Sequence, residues 1–525
     1  MSDRMSRRSL LHGIAATAIA SKAFPGTGRP GSSPGSNDPI DVAIVGGGVA
    51  GSYAAWRLAS DPGFQGSIRI FERSDRIGGR LHSVRCAGLK DQVAELGGMR
   101  IAGDQLPLLG LVKELGLETE PYPATEGSDL YYVRGIRTRA EDMRYGTKVG
   151  FRSNEELDGK QPGEVFRHVL RTLTGRDDWD AESFRAARDS LEYKGMPLVD
   201  MPYEYAYREV LGSEGFKFLH HTTGYGRPNL QALAFVEEAA LSLFVDRYHH
   251  VRGGYDQVPR RLADAAKAKG VDIRFGSTLV DLRFDDDGLA RLVFDEHAGP
   301  TGTVRARRVI MAIPGSAYEL LDPSGALGGD SGISRANRHL EADDAVKIYS
   351  NYATQWWKPA GMKVGRSITD LPIRQCFYLP DSSDGGLVLS PYASGSRATG
   401  YWKPLLEPSA PNRLSTDGVA ARAIRDQLGR LHGFEVPKAR EIHYRMFDGG
   451  HVGDGWSMWS PGSRYWEILP DARTPVPGRP VHCVGQATAA FQGWVMGTIA
   501  SVESVMRGAY GLRRPDWWPS SHPVD

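Results

Sequence analysis

The segment DVAIVGGGVAG at residues 41–51 decides the fold, because it joins a buried strand directly to a turn of three glycines. Residues 41–45, with an apolar run at 42–45, have the length and composition of a buried strand, and residues 49–60 place apolar side chains at helical spacing. Residues 68–72 predict a second strand. A strand, a tight turn, a helix and another strand form a βαβ unit, which implies a parallel sheet and an α/β protein.

Gly46, Gly48 and Gly51 fit the pattern G-x-G-x-x-G, which indicates dinucleotide binding when it follows a strand and opens a helix. Gly46 permits the tight turn, Gly48 lets a pyrophosphate approach the backbone, and Gly51 lets the helix pack closely on the strand. Glu72 ends the next strand, where its carboxylate can accept hydrogen bonds from ribose hydroxyls and disfavours NADP. We therefore predict a Rossmann-type FAD/NAD(P)-binding domain with an interleaved substrate-binding domain of mixed sheet and helices.

The composition excludes several other classes of protein. The 525 residues carry 64 Lys+Arg and 63 Asp+Glu, a net charge of +1, so no nucleic-acid partner is expected. The three cysteines are far apart and lack paired spacing, which argues against a disulfide scaffold or a Cys-based zinc protein. His220-His221 and His249-His250 are adjacent pairs whose side chains point apart, so we predict no metal site. No G-x-S-x-G elbow between a strand and a helix supports a serine hydrolase, because the one such string, GSSPG at residues 31–35, lies in a Pro/Gly/Ser-rich stretch.

Ordered motifs further along the chain distinguish FAD from NAD. They are ERSDRIGGRLHS (72–83), RGGYDQVP (252–259), AVKIY around Lys347, GQAT (485–488) and GWVMGTI (493–499). Together with the glycine turn, these motifs resemble those of the flavin amine oxidase superfamily over roughly residues 39–510, with residues 106–240 matching least. The resemblance implies FAD as the cofactor and Lys347 as a lysine that faces the flavin.

The resemblance also implies which residues contact FAD. The implied contacts are Gly46, Gly48, Ala50, Gly51, Glu72, Arg73, Gly79, Arg80, Gly97, Gly98, Met99, Arg100, Leu279, Gln486, Gly493, Trp494 and Thr498. Gln486 departs from the family, which usually has Glu at this point of the ribityl contact. Monoamine oxidases tether their flavin through a cysteine in this region, and the present sequence has no cysteine between residues 377 and 482. We therefore expect FAD to be bound without a covalent bond.

The segment ELGGMR at residues 95–100 resembles the L-amino-acid oxidase branch and its tryptophan monooxygenase relatives, in which the arginine clamps the substrate carboxylate. A guanidinium fork matches a carboxylate with two parallel hydrogen bonds, whereas an amine without a carboxylate would leave the charge unpaired. The implied substrate-binding residues are Arg100, Tyr392, Gly493, Trp494 and Trp456.

These observations predict an FAD-dependent L-amino-acid oxidase with Lys347, Arg100 and Tyr392 as catalytic residues. The reaction would convert an L-amino acid, water and O2 into a 2-oxo acid, ammonia and hydrogen peroxide. The sequence leaves three alternatives open: a flavin monooxygenase that forms the amide, an amine oxidase, and a non-catalytic flavin-binding protein. The expected partners are the small-molecule substrate and O2, and we expect a homodimer.

The N-terminus has the pattern of an export signal. Arg7 and Arg8 precede a mild apolar run of 11 residues, Leu10 to Ala20, which resembles a twin-arginine signal and is too short for a membrane span of about 18 residues. We expect a periplasmic or secreted protein. The predicted division is a signal peptide (1–24), a linker (25–38), a discontinuous FAD-binding domain (39–105, 245–325 and 445–515), a helical substrate-domain part (106–244) and a substrate-binding domain (326–444).

Overall fold

The computed structural model describes residues 38–122, 129–225, 230–240, 247–297, 299, 301–522 and 524. The predicted signal peptide 1–24 lies outside these residues, as does the predicted linker 25–38 apart from Asp38. Among the residues that are described, no helix is both long and apolar enough to cross a membrane.

The strands of the described residues are, in chain order, β1 (Ile40–Val45), β2 (Ile68–Phe71), β3 (Ser83–Arg85), β4 (Val93–Glu95), β5 (Ile101–Ala102), β6 (Thr119–Pro121), β7 (Leu130–Val133), β8 (Ile136–Arg139), β9 (Glu192–Tyr193), β10 (Met196–Pro197), β11 (Tyr248–Val251), β12 (Asp272–Arg274), β13 (Ser277–Phe284), β14 (Ala290–Glu296), β15 (Gly302–Met311), β16 (Leu340–Asp343), β17 (Ala345–Tyr352), β18 (Gly365–Thr369), β19 (Gln375–Pro380), β20 (Gly386–Ser394), β21 (Pro408–Ala410), β22 (Arg413–Leu414), β23 (Glu441–Gly449), β24 (Gly453–Asp454), β25 (Trp456–Trp459) and β26 (Val481–Cys483). The α-helices are α1 (Val49–Ser60), α2 (Leu106–Glu114), α3 (Pro162–Thr174), α4 (Ala181–Ala187), α5 (Tyr203–Thr223), α6 (Leu233–Glu238), α7 (Gln257–Lys267), α8 (Gly332–Asn337), α9 (Ser396–Trp402), α10 (Val419–His432), α11 (Tyr465–Arg473) and α12 (Val495–Tyr510).

The predicted βαβ unit is confirmed and lies in the middle of a seven-stranded sheet. Strand β1 pairs in parallel with β2 on one side and β15 on the other, and β26 is parallel to β15. Val45 aligns with Phe71 and with Met311, and Met311 aligns with Cys483. The carboxyl ends of these strands therefore meet at one edge of the sheet, where open α/β sheets bind their ligands.

The antiparallel end of this sheet contains a hairpin of β13 and β14. Strands β13 and β14 pair from Ser277 with Glu296 to Phe284 with Ala290, with a register shift between Leu279 and Asp281. The Asp-Asp-Gly turn at residues 286–288, a hairpin signal in the sequence, connects the two strands. Gly288, with φ of +83°, occupies the left-handed position of the turn.

A second, ten-stranded sheet is built around β17 and β20. Strands β7 and β8 join it through a parallel pairing of β7 with β18, although they come from the segment predicted to be helical. The predicted boundary at 444/445 falls inside β23, which runs unbroken from Glu441 to Gly449 because it pairs with β17 over most of its length. The division into domains remains a prediction.

The helical segment packs in two different places. Helices α3, α5 and α6 bury their apolar faces in one cluster that includes Val169, Leu219 and Phe235. Helix α3 ends at Gly175, whose φ of +78° is typical of a glycine that ends a helix. Helix α2 instead packs in the cluster around α1, because Leu108, Leu111 and Val112 are buried there.

Candidate active site

The glycine turn between β1 and α1 requires glycine for steric reasons. Gly46 has φ of +105°, and a Cβ there would lie 2.5 Å from the carbonyl oxygen of Ala312. A Cβ on Gly51 would lie 1.9 Å from the carbonyl oxygen of Gly46. Helix α1 begins at Val49 without a side-chain cap from the described residues. Its first N–H groups therefore remain available to bind an anion such as a phosphate.

Glu72 ties this turn to the end of β2. One carboxylate oxygen accepts a hydrogen bond of 2.6 Å from Gly47 N, and the other accepts hydrogen bonds from Ser74 N (2.8 Å) and Ser74 Oγ (2.7 Å). A carboxylate offers about four lone-pair sites. Glu72 can therefore hold the turn in place and still accept a further hydrogen bond from a ribose hydroxyl.

A first cavity of about 680 Å³ opens at this edge of the sheet. Most of the residues predicted to bind FAD line it: Gly46, Gly48, Ala50, Glu72, Arg73, Gly79, Arg80, Gly97, Gly98, Leu279, Gln486, Gly493, Trp494 and Thr498. Gly51 lines neither this cavity nor the next one. A Cβ at Gly51 would meet the Gly46 carbonyl, which fits the close packing of α1, and a cofactor contact at Gly51 remains a prediction.

Gln486, where the family usually has Glu, belongs to a buried polar network beside this cavity. Its Oε1 accepts hydrogen bonds from Ser457 Oγ at 2.8 Å and from Arg80 Nη1 at 3.3 Å, and its Nε2 donates to Ser457 O at 2.6 Å. Burial lowers the pKa of Arg80, and the Asp454 carboxylate opposes that shift. The amide thus satisfies its neighbours through hydrogen bonds without adding a second negative charge near Arg80.

A second cavity of about 600 Å³ adjoins the first. Several residues from separate parts of the chain line both cavities: Gly97, Gly98, Tyr392, Trp456, Gly493 and Trp494. Met99 and Arg100 line only the second cavity, and Lys347 lines only the first. The predicted FAD-binding and substrate-binding residues therefore meet where the two cavities join.

Arg100 projects into the second cavity among tyrosines. Its Nη2 donates a hydrogen bond of 3.1 Å to Tyr225 Oη, and its guanidinium carbon lies 4.4 Å from the centre of the Tyr248 ring. Among the described residues, no carboxylate oxygen lies within 4.0 Å of its nitrogens. A guanidinium stays protonated in proteins. The cavity therefore presents a positive charge that no described side chain neutralises.

Aromatic rings wall the space around Arg100. The Tyr225 ring lies 5.7 Å from that of Tyr392 and 6.4 Å from that of Trp456, and the Tyr248 ring stacks on Trp494 at 6.3 Å. Sequence reasoning missed Tyr225 and Tyr248. Tyr248 directly precedes the histidine pair His249-His250, but no sequence pattern connects it with Arg100.

Lys347 lies on β17, opposite Tyr392 on the neighbouring strand β20. It is only 3% exposed, and its Nζ donates to the carbonyl oxygens of Glu95 (2.6 Å) and Gly97 (2.7 Å). The segment that contains Arg100 therefore also holds the lysine. Glu95, which sequence reasoning missed as a functional residue, accepts hydrogen bonds from Tyr255 N and Ser83 Oγ, both at 2.7 Å.

The charges of Lys347 and Glu95 are linked. Burial lowers the pKa of Lys347, with the Glu95 carboxylate opposing the shift and the Arg100 charge adding to it. Burial raises the pKa of Glu95, against the hydrogen bonds from Ser83 and Tyr255. The environment of Lys347 therefore favours its neutral amine more than water does.

Of the two histidine pairs, His220 lines the second cavity, whereas His221, His249 and His250 line neither cavity among the described residues. His249 and His250 belong to β11, and His220 and His221 belong to the last turn of α5. None of the four belongs to the group of potential metal ligands that the described residues contain.

Comparison with known proteins identifies the family. The sequence profile of flavin containing amine oxidoreductases matches residues 49–502, which is most of the chain. The protein belongs to this family. As a flavin amine oxidoreductase, it is an oxidoreductase with a flavin cofactor.

Curated relatives of this flavin amine oxidoreductase include an L-amino-acid oxidase from Sistrurus catenatus edwardsii, which is 23% identical over 89% of the present chain and 86% of its own. Aplysianin-A from Aplysia kurodai is 24% identical over 90% of each chain. Among solved structures, cyclohexylamine oxidase from Brevibacterium oxydans IH-35A superposes with a TM-score of 0.65 at 19% identity, over 89% of this chain and 98% of that one. Wild-type putrescine oxidase bound to putrescine gives a TM-score of 0.58 at 21% identity, over 90% and 99%. At these identities the structures show a shared fold.

Proposed function

We propose that this flavin amine oxidoreductase is an FAD-dependent L-amino-acid oxidase. It converts an L-amino acid, water and O2 into a 2-oxo acid, ammonia and hydrogen peroxide. The observation that carries the proposal is Arg100, whose charge is not matched by a carboxylate of the described residues inside an aromatic cavity. Leaving a buried charge unpaired costs free energy. A substrate carboxylate supplies the missing partner, whereas a simple amine does not.

The first cavity fits FAD. The uncapped N-terminus of α1 and the glycine turn suit a pyrophosphate, and Glu72 stands at the strand end where a ribose hydroxyl is expected. The chemistry supplied by bound FAD is the removal of a hydride equivalent from the substrate α-carbon and the transfer of its electrons to O2.

Arg100 and Tyr392 bind the substrate carboxylate in this proposal. The guanidinium makes two parallel hydrogen bonds to the carboxylate, and the Tyr392 hydroxyl donates a third. The Gly493 carbonyl accepts a hydrogen bond from the substrate amine, and Trp456 and Trp494 exclude water around the α-carbon. Fixing the substrate at both ends orients its α-carbon, and such positioning is a main contribution of a protein to catalysis.

Lys347 moves a proton at its Nζ atom. When the amine is neutral, both of its N–H bonds donate to the Glu95 and Gly97 carbonyls, and its lone pair remains available to the first cavity that it lines. That lone pair accepts a proton from a bound water as the water attacks the imine product, and the protonated Nζ can donate this proton when O2 is reduced to hydrogen peroxide. Loss of the hydride equivalent itself requires no base when the substrate amine is neutral.

Three rival functions are separated by simple measurements. An amine oxidase would turn over the decarboxylated amine better than the amino acid, and a monooxygenase would form the amide without equimolar hydrogen peroxide. A non-catalytic flavin protein would keep its flavin absorbance when an L-amino acid is added without oxygen. A screen of peroxide release over the twenty L-amino acids tests the proposal directly and identifies the side chain that the cavity accepts. The homodimer remains a prediction, which size-exclusion chromatography tests.

We expect acid or heat denaturation to release free FAD into the supernatant. The three cysteines are buried in the protein core, and none of them lines the first cavity among the described residues. Chromatography of the supernatant against FAD and FMN standards checks both the release and the identity of the flavin. Flavin that stays with the pellet would contradict non-covalent binding, and peptide mapping would then start with His82 and His451, which line the cavity.

We further propose that the protein is exported through a twin-arginine signal to the periplasm or the medium. FAD is made in the cytoplasm, so a flavin enzyme must load its cofactor before it leaves, and the twin-arginine route carries folded proteins. We expect the double substitution Arg7→Lys and Arg8→Lys to leave folded, yellow, active enzyme in the cytoplasm. Activity and flavin in each cell fraction measure the effect.

The single substitution Arg4→Lys is the matched control for the export experiment. It changes an arginine of the same charged region outside the pair, so export should stay normal. An ordinary secretory signal needs only positive charge in this region. Normal export of the double-lysine variant would show that the arginine pair has no special role.

A further inference from the structure

The structure brings together a cysteine, a glutamate and a histidine that are remote in sequence. Cys86 follows β3, while Glu441 and His443 lie on β23. One ligand atom of each residue lies within 4.8 Å of the corresponding atoms of the other two. Among the described residues, no other group of three or more His, Cys, Asp or Glu side chains has its ligand atoms this close together. It could not be predicted from the sequence, because the cysteine and the strand β23 meet only in the folded protein.

Two buried polar atoms beside this group form no hydrogen bond among the described residues. They are Nε2 of His443 and Oδ1 of Asn351, and the two residues are 5% and 0% exposed. His443 Nε2 lies 2.9 Å from Glu441 Oε1, but the contact is not a directed hydrogen bond. Asn351 Nδ2 donates 2.9 Å to Ala87 O and lies 3.4 Å from Glu441 Oε2, which leaves Oδ1 unused. Unsatisfied buried polar atoms are costly and often indicate a missing ion or water.

We propose that Cys86, Glu441 and His443 bind one zinc ion as a structural site. Thiolate, imidazole and carboxylate are ligands that Zn²⁺ accepts together, whereas Ca²⁺ and Mg²⁺ prefer oxygen alone. A tetrahedral zinc with bonds of about 2.0–2.3 Å holds its ligand atoms roughly 3.3–3.6 Å apart. The three ligand atoms lie within 4.8 Å of one another, and His443 Nε2 and Glu441 Oε1 would move slightly apart from their 2.9 Å contact. Asn351 Oδ1 or a water completes the four ligands.

Binding requires the Cys86 thiol to lose its proton. The S–H bond breaks, a Zn–S bond forms and the proton passes to solvent. Arg413 forms an ion pair with one of the proposed ligands: its Nη2 lies 3.2 Å from Glu441 Oε1, and its side chain is half exposed. Arg413 can turn towards solvent when zinc takes that carboxylate oxygen, while Ala87 N continues to donate to the other oxygen at 3.0 Å.

The position of the site indicates what the ion does. Cys86 directly follows β3, which pairs with β4, and β4 ends at Glu95, whose carbonyl oxygen accepts a hydrogen bond from Lys347 Nζ. Glu441 and His443 lie on β23, which pairs directly with β17, the strand of Lys347. A zinc ion therefore joins the hairpin β3–β4 to the second sheet and fixes two parts of the active site relative to each other.

The test uses the full-length, FAD-loaded enzyme, stripped with EDTA and titrated with ZnCl2. We expect one zinc per chain and a higher melting temperature with zinc, since an ion that binds only the folded state stabilises it. X-ray absorption at the zinc edge should show one sulfur at about 2.3 Å. Cys376 and Cys483 are fully buried in other clusters, so a sulfur ligand reports Cys86. The absence of a saturable site, or a shell of nitrogen and oxygen alone, overturns the proposal.

Variants locate the site. Loss of residues that only orient a metal ligand already weakens binding about 10- to 100-fold, so Cys86→Ser and His443→Gln should weaken zinc binding by more than this. Cys483→Ser, a change at a buried cysteine elsewhere, should bind zinc as the wild type does. If Cys86→Ser binds as tightly as the wild type, the proposal is wrong. Should both variants fail to fold, the absorption spectrum of the wild type decides.

Discussion

Replacing Arg100 with alanine should lower kcat/KM for the best L-amino acid by about 30- to 5,000-fold. Truncating one partner of a buried charge pair costs about 2–5 kcal/mol, and each 1.36 kcal/mol corresponds to a factor of ten. The decarboxylated amine has no carboxylate to lose, so its kcat/KM should change little. The loss should fall mainly on KM if the carboxylate is bound equally in the ground state and the transition state. Peroxide release measures both substrates, with rates expressed per bound flavin.

Two further variants separate the guanidinium fork from its charge. Arg100→Lys keeps the positive charge but loses the two parallel hydrogen bonds, so it should fall between the wild type and the alanine variant. Arg176→Ala removes an exposed arginine that pairs with Asp178 and should leave kcat/KM unchanged. The role assigned to Arg100 is wrong if the wild type oxidises the amine better than the amino acid, or if both substrates suffer equally from Arg100→Ala.

The parts of the fold that sequence predicted best are those whose determinants are contiguous. β1, the glycine turn, α1 and β2 occupy residues 40–71, so hydrophobic periodicity and the positions of Gly46 and Gly51 suffice to define them. Helix α1 begins and ends at the predicted residues, and β2 ends one residue early, at Phe71. The hairpin β13–β14 was predictable for the same reason, because its turn residues lie between its strands.

Other features depend on contacts between remote segments and had no signal in the sequence alone. Tyr225 follows the end of α5, and Tyr248 begins β11, yet both contact Arg100. The importance of Glu95 depends on its carbonyl meeting Lys347 across the fold. Strand β23 crosses the predicted domain boundary at 444/445. Its pairing with β17 depends on tertiary structure, so the sequence alone does not show that residues on both sides of the boundary form one strand.

The resemblance to a family supplied what periodicity could not. It indicated Arg100, Lys347 and Tyr392 as one site, and the structure places all three on the walls of two adjoining cavities. Their roles remain predictions. Gly51 shows that a motif residue can contribute through packing, since a Cβ there would meet the Gly46 carbonyl.

Replacing Lys347 with methionine should lower kcat by about 100- to 10,000-fold, the usual contribution of a positioned acid or base. The methionine side chain is similar to that of lysine in length and volume, so the substitution removes the amine without leaving a large cavity beside β17. The rate of flavin reduction by the substrate, measured without oxygen, should fall much less, because that step needs no proton transfer at Nζ. Rapid mixing of the reduced enzyme with oxygen, together with the rate of 2-oxo acid formation, isolates the affected steps.

The pH dependence distinguishes a proton acceptor from a structural lysine. Because burial lowers the pKa of Lys347, its neutral amine predominates above that lowered pKa and is lost as the pH falls through it. The Lys347-dependent step of the wild type should therefore slow as the pH falls through that range, whereas the rate of the methionine variant should not change with pH there.

Control variants test the same point. Lys347→Arg should not restore the rate, since a guanidinium does not give up its proton. Lys403→Met, which removes an exposed lysine paired with Asp448, should leave rate and pH profile unchanged. A purely structural lysine would instead lower the rates of both half-reactions at every pH, because losing Nζ leaves the Glu95 and Gly97 carbonyls without their donor and loosens the segment that contains Arg100.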